Sequence, residues 1–528
     1  MSNNIFPSTK RIITSSLLLI TSYILTSCSL EEKPRDQIEE ELVHTTVNAL
    51  FQNTIATLYN YIGGYLDGQG LQGTCRGIYD LQTFGSDEAM LPTRGADWYD
   101  GGIWQDMYRH SWRAGHELPK NAWLYLYKVI NLCNHSLEDL DKHKDMLDDQ
   151  PLAIYKSEVR ALRAILYWYL LDLFGNVPII TSSNISMKDV RQASRKEVFD
   201  FVESELRQAC IFLPMEKSNR KGDYYGRVTL PVAYFALAKL LLNAEIYSGT
   251  PKWEDCIEFC DRIELLGYKL EDEYSSNFAV HNETSVENIW TIPMDQRLYL
   301  NQQQNLYRSY HYRHAAAYGF TGENGTCATK RAMEIFGYGT DHEDKRLEKN
   351  YWTGIVRDTR ENIVTDRTGA PLIYQPMEVD LDISGTPFVE TAGARMKKYE
   401  IDLNAIKDGK LMDNDIVLFR YADVLLMRAE AKFRLGKGGQ DDYDAVRKRA
   451  LMPTKPISLQ NLLDERLLEL CWEGWRRQDL IRFHQYESLF MGDVFDEKVN
   501  ESDGHTTLYP IPANAIALNP NLKQNPGY

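Results

Sequence analysis

The chain has 528 residues, 43% of them hydrophobic and 11% aromatic, enough apolar material for a large core and too much for a disordered polypeptide. Its formal net charge is -16 at pH 7. That acidic balance excludes nucleic acid as a natural partner, because phosphate binding needs a basic surface.

In chain order the first element is an export leader. Lys10 and Arg11 form a short cationic region, Ile12 to Leu25 is an uncharged apolar and hydroxylated run, and small Thr26 and Ser27 precede Cys28. The run is too short to span a bilayer comfortably and has signal-peptide proportions. Leu25-Thr26-Ser27-Cys28 matches a bacterial lipobox, so residues 1–27 are expected to be removed and Cys28 to carry a lipid. Residues 28–40, acidic and broken by Pro34, are expected to form a tether. The remaining cysteines, Cys75, Cys133, Cys210, Cys256, Cys260, Cys327 and Cys471, show no Cys-x-x-Cys spacing and indicate no disulfide framework. Cys256 and Cys260, four apart, read as small core residues of one helical face rather than as metal ligands.

Gly63 to Gly102 is rich in Gly and Tyr and reads as a long loop. Gly68-Gln69-Gly70-Leu71-Gln72-Gly73 satisfies Gly-x-Gly-x-x-Gly, but no strand precedes it and no βαβ pattern surrounds it, so the dinucleotide reading fails. Further along, Asp97-Trp98-Tyr99-Asp100-Gly101-Gly102-Ile103-Trp104 places three large rings among glycines and carboxylates. Trp98 is the strongest candidate for a flat binding surface and Tyr99 accompanies it. Trp104 is balanced between that role and, with Tyr108 four residues on, the start of a core helix.

Amphipathic spacing at Leu162, Ile165, Leu166, Tyr169, Leu170 and Leu173 predicts a helix ended by Gly175 and Pro178. A second is predicted over Val232 to Tyr247, stopped by Gly249, with a third starting after Pro251 to make a hairpin. Ile289-Trp290-Thr291-Ile292 reads as a short strand. Asn301 to Gly325 reads as another long loop, carrying Tyr307, Tyr310 and Tyr312 with several amides and Arg308. In an extended segment, alternation would put Tyr310 and Tyr312 on one side. Thr353 to Gly393 is a third loop. Asp415 to Leu435 and Tyr443 to Ala450 predict a further helical hairpin with small alanines in its first member. These hairpins resemble tetratricopeptide units, with irregular spacing between copies.

Four blocks then carry a family resemblance. They are Glu158-Val159-Arg160-Ala161-Leu162-Arg163-Ala164 with Tyr167-Trp168-Tyr169 and Leu173-Phe174-Gly175-Asn176-Val177-Pro178; Arg420-Tyr421-Ala422-Asp423-Val424-Leu425-Leu426; Glu465-Arg466-Leu467-Leu468-Glu469-Leu470 with Glu473-Gly474-Trp475-Arg476-Arg477-Gln478-Asp479; and the closing Gln524-Asn525-Pro526-Gly527-Tyr528. Their order and content resemble the SusD/RagB family of surface glycan-binding lipoproteins from nutrient-uptake systems. The charged residues of these blocks recur at helical spacing beside Leu467 and Leu470, so they are expected to form partly buried structural ion pairs.

The resemblance implies a mainly α fold, in which tetratricopeptide-like hairpins form a curved scaffold with long loop insertions and a few short strands. It implies one domain over residues 41–528, with an N-terminal part to about 330 and a C-terminal part from about 331. It implies a protein of the outer-membrane surface, anchored through Cys28, that captures an oligosaccharide or polysaccharide for a SusC-like TonB-dependent transporter, without enzymatic activity. Exposed rings and hydrogen-bonding groups suit such a ligand, which offers C–H faces and hydroxyls. The binding candidates are therefore Trp98, Tyr99, Trp104, Tyr307, Tyr310 and Tyr312, with Asp87, in the Ser86-Asp87-Glu88 element, as a polar contact or loop brace. No metal and no cofactor is expected: His116-Glu117 and His342-Glu343 lack the second histidine of a zinc site, and no nucleophile elbow or phosphate loop occurs. The alternatives are a surface glycoside hydrolase, whose carboxylate pair is defined only in space, a peptide binder, and a purely structural transporter lid.

Overall fold

A computed structural model describes residues 46–299, 301–405, 408–487 and 504–528. Cys28, the leader and the tether lie outside the described residues. The architecture is mainly helical, with only short two-stranded pairings among the described residues.

The scaffold is built from helices that pack against their neighbours in chain order: α1 (Glu117–Lys142), α2 (Asp149–Phe174), α3 (Arg195–Ala209), α4 (Leu230–Leu242), α5 (Trp253–Leu265), α6 (Tyr421–Arg434) and α7 (Gln440–Arg449). Helix α8 (Leu459–Leu470) packs on α6, and α9 (Arg476–Arg482) follows it. Local signals set the ends. Gly175 takes the backbone out of helix at the end of α2 with φ 69°, and Ser194 and Glu197 form a reciprocal capping box at the start of α3. Pro231 sits in the first turn of α4, where its missing N–H has no helical partner to lose. Helix α4 is apolar almost all round and almost wholly buried, as a helix surrounded by others must be. Asn243 ends it earlier than the sequence suggests, and a short helix, Ala244–Ser248, completes the predicted span.

Two sequence expectations are corrected. The helix predicted from Asp415 begins only at Tyr421, because Ile416–Arg420 is a strand, β2, paired antiparallel with β1 (Asn288–Ile292) through Trp290 opposite Phe419 and Ile292 opposite Ile416. Every residue of both strands is buried, so an unbroken apolar run replaces the helical period there. The loop over 301–325 is likewise not extended: it folds into two short helices, Gln304–Ser309 and Tyr312–Ala317. The seven cysteines from Cys75 to Cys471 are unpaired, and Cys256 and Cys260 are sealed in the core.

The charged blocks form the interior of the C-terminal half. Strand β2 delivers Arg420 into a nest of three carboxylates: Nη1 lies 2.8 Å from Glu287 and 2.6 Å from Glu469, and Nε donates to Glu473 at 2.8 Å. Arg346 pairs with Glu465 and Glu469 at 2.7 and 2.9 Å, Arg466 with Asp423 and Asp479 at 2.8 Å, and Arg482 with Glu430 and Asp479 at 2.8 Å. All of these side chains are buried. The tail docks as well: Asn525 donates to the carbonyls of Phe174 and Tyr509, and Tyr528 to that of Leu508.

Burial alone would raise the Glu469 carboxyl, but Arg449, Arg420 and Arg346 outweigh it and hold the group well below the ordinary carboxylate range; Arg466 and Arg482 do the same for Asp479. A carboxyl with a depressed folded pKa contributes stability that is fully present above its unfolded value near 4 and is lost as pH falls toward the folded one. Thermal unfolding is therefore expected to show a midpoint that falls as pH drops below about 4. Replacing Arg420 with alanine removes the guanidinium shared by Glu287, Glu469 and Glu473 and leaves them to Arg449, Arg346 and Lys398, and denaturant unfolding is expected to show a loss of about 3 kcal/mol.

Candidate functional site

The candidate face is made where residues 94–109 meet residues 304–325. Trp98 has φ 63°, a conformation that bulky residues rarely adopt, and the following Asp100, Gly101 and Gly102 also have positive φ. Such strain persists only where the surroundings over-determine it. Here they do. The Trp98 indole donates to the Glu323 carbonyl at 3.0 Å, and its ring lies edge-on to Trp104 at 6.4 Å. It also covers Gly325, where an added Cβ would lie 2.7 Å from the indole, so only glycine admits this docking. Tyr99, carried outward by the same turn, is 55% exposed.

The second wall rises from the same short segment. Backbone N–H groups of Glu323, Asn324 and Gly325 donate to the carbonyls of Tyr307, Tyr310 and Arg308, fixing 323–325 against the helix Gln304–Ser309. Tyr307 is half-buried, hydrogen-bonded to the Glu323 carboxylate, with the Lys410 ammonium 4.5 Å from its ring centre. Tyr312, also half-buried, donates from its hydroxyl to Asp97 at 2.8 Å and so ties the two walls together. Gly409 separates Tyr307 from Phe320, which lines a cavity of about 130 Å³ together with Leu306, Tyr318 and Met412.

Underneath lies a buried pair that the sequence reading did not find. Asp80 binds Arg308 through both carboxylate oxygens at 2.7 and 2.9 Å and accepts the backbone N–H of Arg76 at 2.6 Å. Arg76 in turn reaches Asp100 at 2.8 Å and Glu117 at 2.9 Å, clamping the Trp98 turn to α1. The Arg308 guanidinium faces the rings of Phe84 and Trp104 at 4.9 and 5.8 Å. Asp67 and Glu323 add carboxylates at this face. Burial pushes both upward in pKa, against the pull of Arg76 on Asp67 and of Lys410 on Glu323. Burial, followed by the bond to Asp97, pushes the Tyr312 hydroxyl up to about 12.

Of the sequence candidates, Trp98 and Tyr307 are linked through Glu323, Tyr312 is tied to Asp97 beside Trp98, and Tyr99 is exposed next to Trp98. Trp104, Tyr310 and Asp87 are corrected. Trp104 is 2% exposed, because the helix Ile103–Arg109 turns it inward with Met107 and Tyr108, and its indole donates to Asp100 at 2.8 Å. Tyr310 is buried between the two short helices and accepts the Trp352 indole N–H at 2.6 Å, so helical geometry separates it from Tyr312. Asp87 is a brace: it is buried and binds Arg476 through both oxygens at 2.6 and 2.8 Å. Its neighbour Glu88 is sealed too, and burial pushes its carboxyl up to about 8. Arg308, grouped by sequence with the ligand-facing tyrosines, is a buried support. Asp80 carries no sequence pattern, whereas Glu323 and the glycine at 325 could have been suspected from their place in an aromatic loop.

Stacked helical hairpins carrying an aromatic face on inserted loops define the class of protein, a helical scaffold with a rim of fixed rings. Comparison with known proteins agrees. The profile described as "SusD family" matches residues 286–528, and that described as "Starch-binding associating with outer membrane" matches residues 75–242. The chain is 26% identical over 501 residues to the starch-binding protein SusD of Bacteroides thetaiotaomicron, covering 88% of each sequence. Its fold is similar to that of surface glycan-binding protein A from Bacteroides uniformis, with TM-score 0.73, 20% identity, and coverage of 90% of this chain and 99% of that one. It is also similar to surface glycan-binding protein A from Bacteroides thetaiotaomicron in complex with laminarihexaose, with TM-score 0.70, 21% identity, and coverage of 91% and 100%. The chain belongs to the SusD/RagB family.

The burial pattern separates scaffold from surface. Trp104→Ala is expected to lower stability by about 3–5 kcal/mol in denaturant unfolding, and Tyr99→Ala to change it by no more than about 0.5 kcal/mol.

Proposed function

We propose that this chain captures a neutral oligosaccharide or polysaccharide at the outer-membrane surface, using Trp98, Tyr99, Tyr307 and Tyr312 as stacking planes. Asp97, Glu323, Asp67 and Lys410 serve as hydrogen-bonding partners for hydroxyls, and Cys28 is the lipid anchor. The observation that carries this reading is Trp98, held in a strained backbone conformation with its indole pinned to the Glu323 carbonyl beside the exposed ring of Tyr99. A pyranose presents a flat C–H face to such a ring and its hydroxyls to the groups around it. Fixing the rings in advance lowers the ordering penalty of binding. The printed names of the relatives support the ligand class, since they describe starch, laminarihexaose and glycan binding.

Delivery to a SusC-like TonB-dependent transporter belongs to the same proposal and is supported by family membership. Binding without turnover is the reading for the carboxylates: Asp97 is engaged by Tyr312 and Glu323 by Tyr307, and the relatives' names describe binding. Calorimetric titration of the full chain with maltoheptaose and with laminarihexaose tests the assignment. At least one is expected to bind, with Trp98→Ala weakening it about tenfold or more, equivalent to about 1.4 kcal/mol. No new reducing ends are expected on prolonged incubation. Release of reducing ends would return the hydrolase alternative, and unchanged affinity in Trp98→Ala would remove this face from the account.

A further inference from the structure

A group of exposed apolar side chains gathers at one end of α3 and α5. Ile211, Phe212 and Met215, just past the end of α3, are 70%, 52% and 68% exposed, and Leu265, the last residue of α5, is 85% exposed. The two segments run side by side. Lys217 donates from Nζ to the carbonyl of Gly267 at 3.2 Å and lies 4.3 Å from the ring centre of Tyr268. Exposure of four large apolar groups in adjoining segments is unusual for a protein surface with nothing to cover it.

What lies beside them narrows the choice of partner. Lys217, Arg220 and Lys269 cluster around Tyr268, close enough that, after burial, Arg220 and Lys269 are the influences that lower the Lys217 pKa. None of the three makes an ion pair among the described residues, although the chain as a whole carries a net charge of -16 and the carboxylate of Glu216 is in the same segment. On the same two helices Arg207 pairs with Glu203 and Asp255, and Arg262 with Glu258. Unpaired cations flanking protruding apolar residues are complementary to a surface that offers anionic headgroups above an apolar interior. A protein partner would more commonly meet aromatic and apolar residues in a depleted-charge centre.

We propose that the 211–220 and 265–269 edge docks on an anionic lipid surface, with Ile211, Phe212, Met215 and Leu265 entering the headgroup region and Lys217, Arg220 and Lys269 contacting lipid phosphates. This contact would set the orientation of the scaffold on the membrane independently of acylation. It does not depend on which ligand the Trp98 face takes, as none of its residues belongs to that face.

The test uses the full chain carrying Cys28→Ala, so that no acyl chain contributes, and sedimentation with vesicles of phosphatidylglycerol and phosphatidylcholine or of phosphatidylcholine alone. Binding is expected to the anionic vesicles and to weaken as salt is raised, since charges at a surface are screened over about 8 Å at 0.15 M. Each basic residue near an anionic leaflet contributes roughly fivefold in partitioning, so the triple variant Lys217→Glu, Arg220→Glu, Lys269→Glu should lose on the order of a hundredfold. Ile211→Ser with Phe212→Ser should weaken binding while far-ultraviolet circular dichroism stays unchanged, as both side chains are exposed. Equal binding to both vesicle types, or binding insensitive to the charge variant, overturns the proposal. So does a dimer in sedimentation velocity that the apolar variant returns to monomer without any vesicle binding, which would assign the edge to a second copy of the chain.

Discussion

Arg420 is the point on which the packing of the C-terminal half turns. A guanidinium has five donors in a fixed plane, and here they are shared among Glu287, on one stretch of the chain, and Glu469 and Glu473, four residues apart on another. A charge sealed from water is tolerated only with such complete compensation, so these stretches have essentially one way to come together. The strand pairing of β1 with β2 follows from the same constraint, since Asn288 opposite Arg420 sets the register that brings Glu287 to the guanidinium. Helix α6 then starts where the strand ends.

The candidate face repeats this design at smaller scale. Asp80 and Arg308 neutralise each other out of contact with water, and from that pair extend Arg76, which clamps the Trp98 turn, and the helix that carries Tyr307. Trp98 and Tyr307 are both held by Glu323, through its carbonyl and carboxylate respectively. The rings are thus positioned by groups that themselves are paired and buried. Such a face does not need to reorganise to meet a flat ligand, and its affinity comes from a modest number of preset contacts.

Much of this was legible in the sequence. The helices at 162–173 and 253–263 announce themselves by period and by Gly175 and Pro251, and the charged blocks by helical spacing beside leucines. What failed did so for definite reasons. Ile416–Arg420 has no alternation because it is buried on both sides, and its continuation into Tyr421 lets a helical pattern run back over a strand. Tyr310 and Tyr312 were separated by a helix start that two residues of aromatic alternation cannot reveal. For Asp87 and Trp104 the sequence leaves two roles open, and only the partner Arg476 and the packing of the helix around Met107 decide for a brace and a core residue. Asp80 and Arg308 meet across 228 positions of the chain, a separation that leaves no local trace.

Amide hydrogen exchange of the full chain, with and without a saturating oligosaccharide, addresses the account most directly. Rings mounted on a body already locked by buried charge should give new protection confined to residues 97–102 and 307–325, with the amides of α6 and α8 equally slow in both states. New protection located instead in the helices of the scaffold, with none around residue 98, would contradict it.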